Sequence, residues 1–292
     1  MAGQVLGDGT RQLDEPEALS PARAGEARDS ALERLVRRDR IAVAAALATV
    51  AAIAWGYLLH LMSGMTGAPS EGAMPDMPDM AMPEMGAWSA LELLLLFAMW
   101  TVMMVGMMLP SAAPMILLFA AVTRRRRERA SPAAPTAVFA AGYLLVWTGF
   151  SALAALAQLG LHHAALLSTA MASTSPILGG LLLVTAGVYQ WMPTKYACLS
   201  RCRSPIGFLG SEWREGRLGA LVMGARHGLF CLGCCWALMS LLFVAGVMNL
   251  LWVAAIAAIV LLEKVAPRGV IVGRAAGVLF AAWGVYLIAG AL

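Results

Sequence analysis

Residues 88–122 read WSALELLLLFAMWTVMMVGMMLPSAAPMILLFAAV, and Arg124, Arg125, Arg126 and Arg127 follow closely. Glu92 is the one ionisable side chain in that run. About twenty apolar residues cross the hydrocarbon core of a bilayer, and with no water there to bond the backbone, the crossing segment must be helical. The stretch therefore predicts a transmembrane helix that ends at a cationic boundary. Pro110 and Pro114 remove backbone donors and predict a kink or break that frees carbonyl groups. Broken helices in membranes line cavities or sites, because unsatisfied backbone is costly in lipid.

Further apolar runs occupy roughly 41–60, 136–159, 177–193, 218–247, 250–264 and 270–291. Together they predict an all-α, polytopic transmembrane bundle of about seven helices. The 250–264 run is short and is expected to insert against its neighbours. Composition agrees: 60% of the 292 residues are hydrophobic, 13% are charged and the mean hydropathy is +0.75. A soluble domain carries about 25% charged residues, roughly twice this load. The expected organisation is a disordered tail over 1–40, a first transmembrane helix over 41–60, an outer loop over 61–87 and a six-helix metal-binding domain over 88–292. The tail has no early apolar segment, so no secretory signal peptide is read. A short amphipathic turn around Leu32 to Val36 is expected to lie on the membrane surface.

Lysine and arginine positions set the expected orientation. Arg34, Arg37, Arg38 and Arg40 flank the first run; Arg124 to Arg127 and Arg129 follow the second. Lys195, Arg201, Arg203, Arg214 and Arg217 follow the fourth, and Lys264 and Arg268 follow the sixth. The alternate loops, 61–87, 160–175 and 248–249, contain neither residue type. This pattern places the N-terminus inside and the C-terminus outside, in a bacterial-type cytoplasmic (inner) membrane.

Three groups of residues point to metal chemistry. The outer loop holds His60, Met62, Met65, Met74, Met77, Met80, Met82 and Met85, residues 74–85 reading MPDMPDMAMPEM. Prolines and acids keep such a segment from inserting, and exposed thioethers are soft ligands that select Cu(I) and survive in an oxidising compartment. Glu92, one turn below that loop, is placed to receive a cation from it, and His162 and His163 lie on the next outer loop. In the second run, Met99, Met103 and Met107 form one i,i+4 ladder and Met104 with Met108 another. Gap-filling between helices explains these nearly as well as a thioether relay does.

The fifth run contains ARHGLFCLGCCW, residues 225–236. At 100° per residue, His227, Cys231, Cys234 and Cys235 fall within an arc of roughly 100° on one helix face. One helix cannot close a tetrahedral zinc site alone, whereas two- or three-coordinate Cu(I) needs fewer partners. Copper(I) is therefore the expected ion and zinc the alternative. Small apolar packing would explain a single membrane cysteine, but three in five residues with a histidine four before favours a site. Cys198 and Cys202, in YACLSRCRSP, form an expected exit pair or redox pair on the inner side. Two tight cysteine clusters and an odd total of five argue against a disulfide framework. Arg226 and the Glu263–Lys264 pair are further intramembrane ionisable groups, the lysine and arginine being explained by snorkelling.

The segments WTVMMVGMMLPSAAP, YQWMPTKYACLSRCRSP, HGLFCLGCCWALMSLLFVAGVMNLLW and VLLEKVAP resemble a bacterial domain-of-unknown-function family of predicted metal-binding integral membrane proteins, over roughly 88–290. The resemblance implies metal binding by the Cys/His block. It points to Met103, Met104, Met107, Met108, Pro110, Pro114, Lys195, Cys198, Cys202, Cys231, Cys234, Cys235, Glu263 and Lys264. The first run and the Met-rich loop lie outside it.

The leading expectation is a copper(I)-binding membrane protein, a transporter or a metal donor, whose partners are the bilayer and a metallochaperone or membrane metalloenzyme. A membrane thiol–disulfide oxidoreductase using the two cysteine clusters is the alternative, made awkward by their expected separation of about half the bilayer. An accessory subunit with packing cysteines is the third reading. The sequence has neither a GxxxxGK[ST] nor a DKTG-like motif, which argues against an ATP-driven pump. No catalytic triad or carboxylate pair suggests a hydrolase, and nothing points to nucleic acid.

Overall fold

The computed structural model describes residues 21–66, 89–126, 132–164, 166 and 174–291, with the side chains of the first helix described over 33–63. Among these residues the ordered elements are all helices: α1 (Pro21–Thr66), α2 (Ala90–Arg126), α3 (Ala133–His163), α4 (Pro176–Tyr189), α5 (Pro193–Arg203), α6 (Pro205–Glu212), α7 (Gly216–Ser240), α8 (Leu242–Ala245), α9 (Leu250–Val265) and α10 (Gly269–Ala289). Five spans are long and apolar enough to cross a membrane: 33–63 of α1, then α2, α3, α7 running through α8, and α10. Counting α4 and α5 as one span bent by 64° makes six. The expected seventh, α9, has 16 residues, fewer than the roughly twenty a crossing needs.

The predicted boundaries shift in three places. Helix α1 begins at Pro21, so residues 21–40, expected as tail, are helical; no glycine or proline interrupts the chain between Gly25 and Gly56. The same helix takes in 61–66, the start of the expected loop. The fourth run ends at Tyr189, because Met192, preceding Pro193, takes an extended conformation and the chain re-enters helix at the proline. What reads as a cationic loop is thus α5 and α6, and α5 packs along α7.

Helix α2 runs unbroken through Pro110 and Pro114 rather than breaking there. Pro110 cannot donate to the carbonyl of Gly106, and the indole Nε1 of Trp55 donates to that oxygen at 3.2 Å. The first helix thereby replaces the bond that the proline removes. The buried face of α2 carries Met99, Trp100, Met103, Met104, Met107, Met108, Met115 and Phe119 beside smaller and aliphatic residues.

Small residues let the helices close up, a device that suits helices packed in lipid, where apolar burial gives little drive for association. On α4 and α10, Gly180 and Gly187 face Gly284 and Gly277: a Cβ at Gly187 would meet the Gly277 carbonyl at 2.6 Å, and one at Gly284 the Gly180 carbonyl at 2.6 Å. The two pairs share a seven-residue spacing and run antiparallel. Gly187→Ala is expected to cost about 1–3 kcal/mol through overpacking. Gly149→Ala, whose Cβ meets nothing within 4 Å, is the matched control and is expected to be neutral or mildly stabilising. Unfolding in detergent, followed by circular dichroism, measures both; equal stability in the two variants would show that the seam is loose.

After α8 the chain reverses at Gly246, whose φ of +87° suits glycine, and Asn249 caps α9 through Oδ1, which accepts from the Trp252 amide at 3.1 Å. That turn sends α9 back along the bundle, so its last turn reaches the middle of α7.

Candidate metal centre

Helix α7 buries His227, Cys231, Cys234 and Cys235, the face expected from their spacing. The Cys231 sulfur is the hub. Lys264 of α9 donates to it at 2.8 Å, and the Tyr143 hydroxyl of α3 lies 3.1 Å away. The same ammonium donates to Ser111 Oγ of α2 at 3.0 Å. Ser111 and Tyr143 in turn donate to the Met108 carbonyl, at 2.8 and 3.1 Å. Four helices therefore hold one sulfur.

The thiols of Cys234 and Cys235 both donate to the Cys231 carbonyl at 3.0 Å, which makes their sulfurs near neighbours. From α5, Cys202 comes beside Cys234. Cys198 sits where a Cβ on Gly233 would lie, 2.7 Å from its sulfur, so only glycine admits α5 this close to α7. The bend before Pro193 is what brings these two cysteines to α7. Their expected separation from the α7 cluster by half a bilayer is corrected accordingly. All five cysteines are free.

His227 is buried one turn before Cys231, its ring 5.7 Å from Tyr143 and 5.5 Å from Phe208. Its Nδ1 has no hydrogen-bond partner. Among the described residues, no three His, Cys, Asp or Glu side chains are grouped so that they could hold a metal ion together. The cluster is a set of sulfurs around a backbone carbonyl and an ammonium. An ammonium beside sulfur supplies the charge that a thiolate, the metal-binding form of cysteine, needs in a low-dielectric interior.

The two lysines assigned to the inner surface are both buried. Lys264 does not snorkel, since its charge points into the bundle. Lys195 is 1% exposed and pairs with the equally buried Glu263 at 2.6 Å, while also bonding Gln190 at the α4–α5 break. These two charges belong to the interior and drop out of the orientation argument, which then rests on arginine. Arg226 pairs with Glu212 of α6.

Other expected ligands take different places. Met99, Met103, Met104, Met107 and Met108 are packed in the core, and Met108 meets the site through its carbonyl. Glu92 is exposed and closes a capping box with Ser89: the Ser89 amide donates to its carboxylate at 2.8 Å and the Glu92 amide donates to Ser89 Oγ at 3.2 Å. Helix capping accounts for Glu92 as it stands. His162 and His163 are exposed at the end of α3, and Met62 is half-buried near the end of α1. The side chain of Met65 and all of Met74, Met77, Met80, Met82 and Met85 lie outside the described residues.

Sequence reasoning missed Tyr143 and Ser111. Each is one of several hydroxyls in its apolar run, so no signal in the sequence singled it out.

A family model described as PpoB2, copper chaperone, matches residues 97–287, while comparison with curated proteins and with solved structures finds no match. The family match replaces the general metal-binding resemblance with copper. It takes in the sulfur cluster, Tyr143, Ser111 and Lys264, and leaves out α1 and the Met-rich segment. With well over half of its length inside that match, the chain belongs to the PpoB2 copper chaperone family.

Proposed function

We propose that this protein is an integral membrane copper(I) chaperone of a bacterial-type cytoplasmic membrane, N-terminus inside, that holds the ion on Cys231, Cys234, Cys235 and Cys202 and passes it to a membrane metalloenzyme or metallochaperone. The observation that carries the reading is the buried gathering of α7 thiols with Cys202, with the Lys264 ammonium 2.8 Å from the Cys231 sulfur. Thiolates are soft ligands suited to Cu(I), and two of them on one ion leave a single negative charge that one ammonium balances. His227 and the core methionines stand as additional ligands in this reading, and the Met-rich segment 65–85 as the collector outside.

The test is metal content by mass spectrometry on detergent-purified full-length protein, loaded under reducing conditions with copper and zinc in competition. Wild type is expected to hold near-stoichiometric copper, and the Cys231/Cys234/Cys235→Ser variant to lose it. Deletion of 65–85 is expected to slow capture and leave stoichiometry unchanged. A wild type without copper, or a triple variant that keeps it, would remove this site from the protein.

Thiol–disulfide exchange is a second reading, favoured by the approach of Cys202 to Cys234. Alkylation of native protein with and without reductant separates the two: a stable Cys202–Cys234 disulfide favours exchange, and free thiols favour the chaperone.

A further inference from the structure

The sulfur cluster is sealed on its own helix: Cys231, Cys234 and Cys235 are 0%, 1% and 0% exposed. An ion held there needs a way in and out. A cavity of about 200 Å³ abuts the cluster, lined by Ser111, Met115, Cys202, Arg203, Lys264 and Val265 among others. At roughly 30 Å³ per water, it has room for several waters beside a metal ion.

Its walls reach the cluster from two directions. Lys264 carries the cavity surface to the Cys231 sulfur, and Cys202 carries it to Cys234. The floor is buried, with Met115 at 2% exposure, while Val265 at the rim is 56% exposed. Arg203 is pinned at the side, donating to the carbonyls of Glu263 at 2.5 Å and Pro267 at 3.2 Å. The wall therefore has two soft donors, a thiol and a thioether, and two cations. Cu(I) in water travels as anionic thiolate complexes, which such a wall attracts.

We propose that this cavity is the port through which Cu(I) reaches and leaves the buried thiols, with Cys202 and Met115 as its ligands and anionic copper complexes as its visitors. The inference rests on the chaperone reading and assigns its route, including Met115, which the Met ladder does not contain. Passage is ligand exchange without change of oxidation state. On release a Cu–S bond to Met115 forms as the bond to Cys234 breaks, Cys202 staying bound. The bonds to Cys202 and Met115 then break as the ligands of the acceptor complex bind, and each thiolate left behind takes a proton from water in the cavity, which loading returns.

Release of one bound Cu(I) from full-length protein in detergent to excess bathocuproine disulfonate, an anionic water-soluble chelator, tests the port by absorbance. Two variants are compared: Val265→Trp, which narrows the rim, and Met115→Leu, which removes the thioether at nearly constant volume. Val265→Trp is expected to slow release about tenfold and Met115→Leu severalfold, with wild-type copper at equilibrium in Val265→Trp. Slower release in either variant upholds the port. Release within twofold of wild type in both overturns it while leaving the chaperone reading intact. Absence of copper from the wild type overturns both.

Discussion

Replacing Glu263 by Leu is expected to lower the stability of the folded protein by about 3–5 kcal/mol, and replacing Lys195 by Met in the same chain to return most of that loss. The asymmetry follows from where the pair sits. Both side chains are 1% exposed and 2.6 Å apart in the interior of the bundle. Each ion alone would carry its full desolvation penalty, and the partner is what offsets it. Gln190, at the break between α4 and α5, bonds the same ammonium, so the pair joins three segments at one point. Leaving Lys195 unpaired is therefore worse than removing both charges, for which apolar side chains of similar volume substitute well. Unfolding of the two variants and wild type in one detergent, in a double-mutant cycle, gives the coupling directly. A single Glu263→Leu variant within 1 kcal/mol of wild type would mean that water reaches Lys195.

The pair also bears on the thiols. Lys195 lies on α5, one turn before Cys198 and two before Cys202, and Glu263 lies beside Lys264 on α9. Adjacent residues on α9 thus fix two different partners. Glu263 holds α5, which brings Cys202, and Lys264 reaches α7 and α2, where Cys231 and Ser111 wait. One helix end, EK at 263–264, sets the distance between the two sources of sulfur.

Much of this was legible as periodicity. The 100° face carrying His227, Cys231, Cys234 and Cys235 is buried as a unit, and the long apolar runs of α2, α3, α7 and α10 are helices. The contributions from other helices were not legible. The run 177–193 reads as one span on hydropathy, and only the restriction that Pro193 places on Met192 ends it. The bend that follows decides whether Cys202 reaches Cys234. Counting cations by loop treats every lysine as exposed, so Lys195 and Lys264 were read as surface charges although both are buried. The glycines of α4 and α10 show their seven-residue spacing in sequence, but which pair meets which depends on antiparallel packing. Tyr143 and Ser111 lie 88 and 120 positions before Cys231, and no local pattern joins them to it.

Lys264→Met is expected to reduce Cu(I) affinity at least a hundredfold, about 3 kcal/mol, while leaving the four thiols in place. Two thiolates on Cu(I) carry one net negative charge, and the Lys264 ammonium is the cation that touches the Cys231 sulfur. Without it that charge would stand alone among apolar helices, where an unbalanced ion costs several kcal/mol. Methionine is close in length and adds a soft sulfur, so a fall in affinity in this variant reads the charge and not a lost donor. Lys264→Arg is expected to restore little. The ammonium fits between Ser111 Oγ at 3.0 Å and Cys231 at 2.8 Å, and a planar guanidinium fork presents its donors in a fixed geometry that does not match this gap. Because the site is buried, raising ionic strength should change the wild-type affinity little, in contrast to capture steered by surface charge. Competition against a calibrated Cu(I) chelator in detergent measures all three proteins. A Lys264→Met variant binding within threefold of wild type would mean that the ion is held by neutral donors, and the cluster would then have to bind Cu(I) through His227 and the core thioethers rather than through paired thiolates.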